Sequence, residues 1–154
     1  MGRTHTTMAV ITSHKSDEWG TPQDIFDGLN EEFNFTLDAC ATDENHKVDQ
    51  YYTKEENGLE HSWGGQRVWC NPPYSEIDKW VEKAFRETRH DNTLVVMLIP
   101  SRTDTKYFHD FIYQRTEIRF VRGRLKFVSK DQLNSNAPFP NMIVIFRGAR
   151  VSAL

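Results

Sequence analysis

The stretch TLVVMLIP, residues 93–100, is apolar without interruption from Leu94 to Ile99 and ends at a proline. A strand with one solvated face alternates apolar and polar residues, whereas a strand buried on both faces has no polar position. Such strands are typical of parallel sheets that are covered by helices. We therefore predict that residues 93–99 form a central strand and that Pro100 ends it.

The segments around this strand alternate between helical and extended patterns. Thr21-Pro22 is typical of a helix start, with Thr21 as the capping hydroxyl, and Ser75 is the predicted cap of a second helix. Further patterns predict a third helix at residues 107–112 and strands at 35–39, 68–70, 117–121 and 142–146. This alternation predicts an α/β fold, an open sheet with helices on both faces.

The length of 154 residues is enough for one domain with a core of its own. We expect a flexible tail at residues 1–15 and one domain at residues 16–150. The apolar patch at residues 8–11 is too short for a signal peptide or a membrane span. The two cysteines lack the density of a disulfide scaffold, so free thiols and a reducing cytoplasm are expected. The six histidines form no ligand-spaced cluster, and no metal is predicted.

Acidic and basic residues are concentrated in different parts of the chain. Residues 17–60 hold thirteen acidic and two basic side chains, whereas residues 102–130 hold eight basic and three acidic ones. The net charge is −3, yet this distribution allows a basic face that attracts phosphates. An ordinary solvated surface is the alternative interpretation.

Two predicted strands carry a polar side chain at their carboxyl ends, where open α/β sheets bind ligands. Asp38 stands near the end of the strand at 35–39, and Asn71 follows the strand at 68–70. Since parallel strands end at the same edge of a sheet, we expect these two side chains to share a site.

Asn71 opens the sequence Asn71-Pro72-Pro73-Tyr74, which suits the recognition of an aromatic amino group. The prolines remove two backbone donors and favour extended backbone, so the carbonyls of this loop stay available as acceptors. The Asn71 side-chain oxygen and the Pro72 carbonyl can accept both hydrogens of the amino group, while Tyr74 stacks on the ring. This geometry directs the nitrogen lone pair at an electrophile without a general base. A proline-rich turn with Tyr74 in the core is the alternative.

The same four residues resemble the catalytic motif of amino methyltransferases that use S-adenosylmethionine. Further blocks extend the resemblance to the phage-type DNA N6-adenine methyltransferases, the phage DNA adenine methylase family, over residues 17–147. The blocks are Trp19 with Thr21-Pro22, Leu37 to Ala41, Asn57-Gly58-Leu59 with Trp63, Val68 to Tyr74, Pro100 to Thr105, Arg122 to Phe127, and Ala137 to Pro140.

The resemblance implies a Rossmann-like, mostly parallel sheet in a minimal single domain similar to class I methyltransferases. It implies that S-adenosyl-L-methionine donates a methyl group to the exocyclic N6 amino group of a flipped adenine in double-stranded DNA, and that the genome is that of a phage or prophage. The implied catalytic residues are Asn71, Pro72, Pro73 and Tyr74. The implied cofactor-binding residues are Trp19, Thr21, Pro22, Asp38, Ala39, Cys40, Ala41 and Asn57.

Structural roles stay open for three of these residues. Thr21 can be a helix cap only, Asp38 can be a solvated turn carboxylate, and Cys40 fits a packing role better than that of a nucleophile.

The sequence departs from the family pattern in two places. The glycine-rich loop that many methyltransferases place after the first strand is replaced by Ala41-Thr42-Asp43-Glu44-Asn45. Asn57 stands where related proteins generally carry an acidic residue that accepts from the cofactor's adenine amino group. An amide oxygen accepts the same bond without charge, which predicts weaker cofactor binding.

Flipping an adenine out of the stack costs free energy that contacts with DNA must offset. We expect phosphate contacts from Arg102, Arg119, Arg122, Arg124 and Lys126. Helix-turn-helix and zinc-finger patterns are absent, so base contacts are expected from loops at 42–66 and 129–140.

Two other functions stay open at this point. One is an amino methyltransferase that acts on cytosine, RNA or a protein glutamine. The basic segment at 102–130 favours a nucleic acid over a protein as its substrate. The other is a nucleic-acid-binding module that has lost catalysis, for which Asn57 and the absent glycine-rich loop are the support. Cofactor binding separates this module from the two enzymes.

Overall fold

The computed structural model describes residues 20–128 and 134–151. The predicted tail at residues 1–15 and the predicted cofactor residue Trp19 lie outside the described residues.

The fold is mixed α/β and is built on a five-stranded sheet with a separate two-stranded hairpin. The sheet has the spatial order β1-β2-β3-β7-β4. Its strands are β1 (Leu37–Asp38), β2 (Arg67–Cys70), β3 (Leu94–Pro100), β4 (Glu117–Phe120) and β7 (Asn141–Arg147), and the hairpin pairs β5 (Lys126–Val128) with β6 (Asn134–Asn136).

Strand β3 forms the centre of the sheet, as the apolar stretch at 93–99 predicts. All seven residues of β3 are buried, and the strand pairs in parallel with β2 and antiparallel with β7. β1 pairs in parallel with β2, and β4 pairs antiparallel with β7. It follows that β1, β2, β3 and β4 run in one direction, so their carboxyl ends lie at the same edge of the sheet.

The direction of β7 departs from the expected parallel arrangement, and two of the four pairings are therefore antiparallel. A parallel connection needs a crossover of a dozen or more residues, usually helical. The chain between β4 and β7 contains the β5–β6 hairpin in its described part and reaches β7 at the carboxyl edge. From that edge β7 runs back through the sheet.

Helices pack on both faces of the sheet. Helix α1 (Gln23–Phe33) buries Phe26, Leu29 and Phe33 in a core layer with Trp69 and Val96. On the other face, helix α2 (Ile77–Glu87) buries Ile77, Trp80, Val81 and Ala84 against Cys70, Val95 and Met97. Apolar side chains at helical spacing turn one stripe of each helix toward the core.

The helix starts differ from the predicted ones. Neither Thr21 nor Ser75 caps a helix, because α1 begins at Gln23 without a side-chain cap and α2 follows a short 3₁₀ turn at Tyr74–Glu76. The predicted third helix is a π-helical segment at Phe108–Ile112. None of the helices in the described residues has the length and hydropathy needed to cross a membrane.

An ion-pair network joins strand β4 to α1 and β7. The Arg119 guanidinium donates to both carboxylate oxygens of Glu32, at 2.7 and 2.8 Å, and its Nε lies 2.6 Å from Glu117. Glu117 also accepts from Arg147 at 2.6 Å. These bonds lower the pKa of both glutamates. A bidentate arginine–carboxylate pair is specific in geometry, so the network fixes the position of α1 over the edge strand.

Candidate active site

A cleft of about 390 Å³ opens at the carboxyl ends of β1 and β2, within the range of cofactor pockets in proteins. Its walls contain residues from four parts of the chain: the segment before α1, the end of β1, the loop after it, and the loop after β2. Among the predicted site residues, Thr21, Asp38, Ala39, Cys40, Ala41, Asn57, Asn71 and Pro73 line it. Pro22 does not, and its carbonyl accepts from the Phe26 amide in the first turn of α1.

Asp38 is a buried carboxylate on the floor of this cleft, with 2% of its surface exposed. Its two oxygens accept from the backbone amides of Cys40, at 3.4 Å, and Lys47, at 2.9 Å. Burial raises the pKa of the Asp38 carboxyl to about 6, and these two amides oppose the rise. The carboxylate therefore fixes the conformation of the loop after β1. Its burial is inconsistent with the interpretation of Asp38 as a solvated turn residue.

Three backbone amides of the loop after β1 that line the cleft are already hydrogen-bonded. The amides of Ala39 and Ala41 donate to the carbonyls of Trp69 and Tyr52, and Thr42 donates to the Asn45 side chain. Phosphate-binding loops need several unpaired N–H groups that point at the ligand. With these amides occupied, Asp38 supplies the buried carboxylate of this part of the cleft, and Lys47 and Lys54 supply its cations.

A 3₁₀ turn at Gly58–Glu60 packs against Ala39 and also lines the cleft, and Asn57 caps this turn. Asn57 has a φ of 57°, in the left-handed region that Asn tolerates better than most residues. Its Oδ1 accepts from the Leu59 amide and its Nδ2 donates to Glu60. Asn57 therefore has a structural task besides its predicted contact with the cofactor.

Asn71 is joined across the cleft to Thr21. The Asn71 Nδ2 donates to the Thr21 hydroxyl at 2.9 Å, and the Thr21 side chain is buried. Because the nitrogen end of the amide points at Thr21, Oδ1 is its acceptor end, which is the atom that a substrate amino group needs. Among the described residues, no group donates to the Pro72 carbonyl. The two predicted acceptors are thus side by side after β2.

Tyr74 stands next to this pair with an aromatic partner that the sequence analysis did not assign to the site. The rings of Tyr74 and Phe139 lie edge to face, with centroids 5.0 Å apart. The Arg102 guanidinium lies 5.8 Å from the Phe139 ring. The sequence feature that could have identified Phe139 is its position between Pro138 and Pro140. Two prolines at this spacing favour an extended loop.

Several buried polar atoms around Tyr74 form no hydrogen bond of good geometry within the described residues, although the Tyr74 hydroxyl and the Asn141 amide lie close to each other. They are the hydroxyls of Tyr74, Ser101 and Tyr107 and both ends of the Asn141 amide. Burial raises the pKa of the Tyr74 hydroxyl, and Asn141 and Arg102 oppose the rise. Unpaired buried polar groups are rare and usually mark a place for water or a ligand. A second cavity of about 170 Å³ adjoins them and is lined by Tyr74, Arg102 and Tyr107.

The predicted DNA-contacting residues fall into two groups. Arg102, Arg122, Arg124 and Lys126 are exposed and follow the carboxyl ends of β3 and β4. Arg119 is held by Glu32 and Glu117 on the α1 face of the sheet, so its charge is already paired. We leave Arg119 out of the proposed DNA surface. Of the loops predicted to contact bases, residues 129–133 lie outside the described residues.

Nearly the whole chain matches a family of enzymes. The model of the DNA N-6-adenine-methyltransferase (Dam) family matches residues 8–152. The chain belongs to this family.

Two phage proteins with the same name are similar to it. The DNA N-6-adenine-methyltransferase of Haemophilus phage HP1 (strain HP1c1) is 34% identical over 150 residues, which cover 90% of this chain and 84% of the relative. The protein of that name from Escherichia phage T1 is 34% identical over 111 residues, 71% of this chain and 46% of the relative. The resemblance drawn from the residues is thereby confirmed.

The enzyme has two cysteines near the cleft, and both carry free thiols. Burial raises the pKa of the Cys70 thiol well above its usual range, so this group stays protonated at neutral pH. Cys40 lines the cleft, and its amide is bound by Asp38. The described residues contain no cluster of three or more His, Cys, Asp or Glu side chains placed to hold a metal ion.

Replacing Gly58 with Ala should destabilise the enzyme and distort the cleft. A Cβ at this position would overlap the Ala39 carbonyl oxygen and lie 3.3 Å from the Trp80 ring. We expect a loss of about 1–3 kcal/mol in the free energy of unfolding, measured by urea titration. Gly28→Ala is the matched control, since a Cβ there meets nothing within 4 Å in the middle of α1. It should stabilise the protein by about 0.5–1 kcal/mol; equal effects of the two variants would contradict the assignment.

Asp38 should make the stability of the ligand-free enzyme depend on pH. Because its pKa is raised from 3.8 to about 6, the folded state retains a proton that the unfolded chain has lost. The contribution is fully present below pH 3.8 and is lost as the pH rises through about 6. It amounts to about 3 kcal/mol. The check is the wild-type stability minus that of Asp38→Asn across this range, and a difference that does not fall with rising pH would refute the raised pKa.

Proposed function

We propose that the enzyme transfers a methyl group from S-adenosylmethionine to the exocyclic N6 of an adenine that is flipped out of double-stranded DNA. DNA adenine methylation is the activity in the name of its family. The observation that carries the atomic assignment is the placement of Asn71 beside the Asp38 cleft, with its amide nitrogen bonded to Thr21.

The cofactor would be held by the cleft at the ends of β1 and β2. Asp38 suits the ammonium or the ribose hydroxyls, the turn at Asn57 borders the adenine end, and Ala39 to Ala41 line the floor. When bound, S-adenosylmethionine supplies an electrophilic methyl group on a sulfonium. The proposal includes a Rossmann-like sheet of the kind found in other methyltransferases. The cleft at the carboxyl ends of the parallel strands β1 and β2 supports it.

The substrate adenine would be held by the loop after β2. Asn71 Oδ1 and the Pro72 carbonyl accept the two amino hydrogens, which draws the nitrogen out of conjugation with the ring and turns its lone pair toward the cleft. Tyr74 provides a π-face for the base, and Phe139 supports that ring from its edge. The chain acts by positioning, and its part needs no covalent bond to the base because the buried Cys70 stays protonated.

DNA would be bound by the exposed basic residues at the carboxyl edge, namely Arg102, Arg122, Arg124 and Lys126. Phosphate contacts of this kind act together and weaken with salt. The charge and chemistry of the edge favour nucleic acid over a protein glutamine. Analysis of the methylated product distinguishes adenine in DNA from the alternative substrates, cytosine and RNA. The proposed setting is the cytoplasm of a bacterium infected by phage.

Replacing Asn71 with Ala should abolish catalysis while it spares cofactor binding. Loss of one acceptor for the amino group should lower kcat by about 100-fold or more. The dissociation constant for S-adenosylmethionine, measured by calorimetry, should stay within a few-fold of wild type. The transfer assay uses radiolabelled cofactor and unmethylated DNA, followed by nucleoside analysis. With the wild-type enzyme, label in N6-methyladenine supports the proposal, whereas label in cytosine or no label at all overturns it.

Thr21→Val gives a graded control for this experiment. It removes the hydroxyl that accepts from Asn71 but leaves the Oδ1 acceptor in the chain. Activity between that of wild type and that of Asn71→Ala is expected, because the amide is then less well oriented. If Asn71→Ala were as active as wild type, the loop after β2 would not be the substrate site.

Replacing both Arg122 and Arg124 with Gln should weaken DNA binding and reduce the dependence of binding on salt. Each lost phosphate contact reduces the slope of log K against log salt by about 1. Fluorescence anisotropy with a labelled duplex at several salt concentrations measures this slope. Arg119→Gln is the matched control, because this guanidinium is paired with Glu32 and Glu117. It should lower the melting temperature and leave the slope unchanged; a slope that changes only in the control would reverse the assignment.

A further inference from the structure

Phe120 is exposed at the last position of strand β4. With 64% of its surface accessible, it is one of two large apolar side chains in the described residues that are largely exposed, the other being Tyr113 at 50%. A phenyl ring in water forgoes the stabilisation that burial would give. Within the described residues, no ring contact or cation–π contact covers it. The fold gives no structural reason for a phenylalanine at this place.

Phe120 lies at the same edge of the sheet as the candidate active site. It is paired with Met142, which is paired on its other side with Ile99, one residue before the end of β3. The next residue, Val121, donates to the Asn141 carbonyl, and Asn141 is paired with Pro100. The ring is therefore level with the loops that carry Asn71 and Arg102.

The ring also points to the same face of the sheet as Tyr74. Ile118, two residues before Phe120, packs on the core layer of α2, and side chains two apart in a strand share a face. Tyr74 packs on that same layer. β4 is three strand positions from β2, which is roughly 14 Å at the usual spacing of strands. Tyr74 and Phe120 are therefore separate positions on one face of one edge, so one chain can hold an extrahelical base at Tyr74 while Phe120 touches the duplex.

Basic residues follow Phe120 directly. Arg122 and Arg124 are exposed on either side of Gly123, whose φ of 74° allows a tight turn that L side chains rarely adopt. In the described part of the chain neither arginine forms an ion pair. An aromatic ring beside unpaired cations is the combination that binds nucleic acid, since rings stack on bases while cations hold the phosphates.

We propose that Phe120 is a stacking wedge that contacts the base step from which the target adenine is flipped. This inference rests on the proposed function and names a residue that lowers the cost of flipping. Removal of a base from the duplex opens a gap with two unstacked faces, and apolar side chains inserted at base steps stabilise such distortions. Arg122 and Arg124 fix the duplex so that the ring reaches this gap.

The test compares Phe120→Ala with wild type on two forms of one duplex. The methylated sequence is first mapped in the product DNA of the wild-type enzyme, and a duplex that contains it is then made with a normal pair or with an abasic site opposite the target adenine. On the normal duplex, Phe120→Ala should lower kcat/KM by about 10-fold or more. On the abasic duplex, where flipping costs less, the loss should be several-fold smaller.

A direct readout of flipping uses the same duplex with 2-aminopurine in place of the target adenine. Its fluorescence rises when the base leaves the stack, so the rise should be large with wild type and small with Phe120→Ala. Phe120→Trp keeps a stacking ring and should restore both the fluorescence and the rate. Tyr113→Ala is the matched control, because this exposed aromatic precedes β4 and lies toward the opposite edge. It should behave as wild type.

Three results would overturn the wedge. Phe120→Ala could equal wild type on the normal duplex, or lose the same factor on both duplexes, or change the oligomeric state by light scattering without a change in flipping. The last result would assign the ring to a contact between copies of the chain. A failure of the proposed function is a separate outcome, since wild type itself would then transfer no methyl group to adenine in any DNA.

Discussion

The complete burial of strand β3 is the constraint on which the other elements depend. Because β3 has no polar face, it needs a helix on each side and a strand at each edge, and α1, α2, β2 and β7 meet these needs. The parallel pairing with β2 places the loop at Asn71 level with the end of β3. The site is thus a result of how one apolar strand is covered.

The candidate site consists of two halves that share an amide. Asp38 organises the loop after β1 through the amides of Cys40 and Lys47, and the loop after β2 carries Asn71, whose nitrogen is bonded to Thr21. Asn71 belongs to the second half, but its nitrogen is bonded to Thr21, which lines the first. Any movement of the segment before α1 therefore changes the orientation of the acceptor.

The sequence predicted those features that depend on local patterns. The buried run of β3 was predicted correctly because an uninterrupted apolar strand leaves no face for solvent. The direction of β7 was not predictable in this way, since a buried apolar run has the same composition in either direction. The capping pattern at Thr21 was misleading because its hydrogen bond goes to Asn71, fifty residues away in the chain. The sequence gives no means to distinguish Arg119 from Arg122 as DNA contacts. The fold distinguishes them because it places Glu32 against Arg119.

The edges of the sheet bear on how the enzyme behaves at high concentration. A long, flat, apolar edge strand invites pairing with other copies, and natural proteins block it with short strands and charged side chains. β4 has four residues, two of which are held in ion pairs, and β1 is bordered by the segment at residues 50–52 through a bridge between Asp38 and Tyr51. The sheet is therefore poorly suited to growing sideways into aggregates.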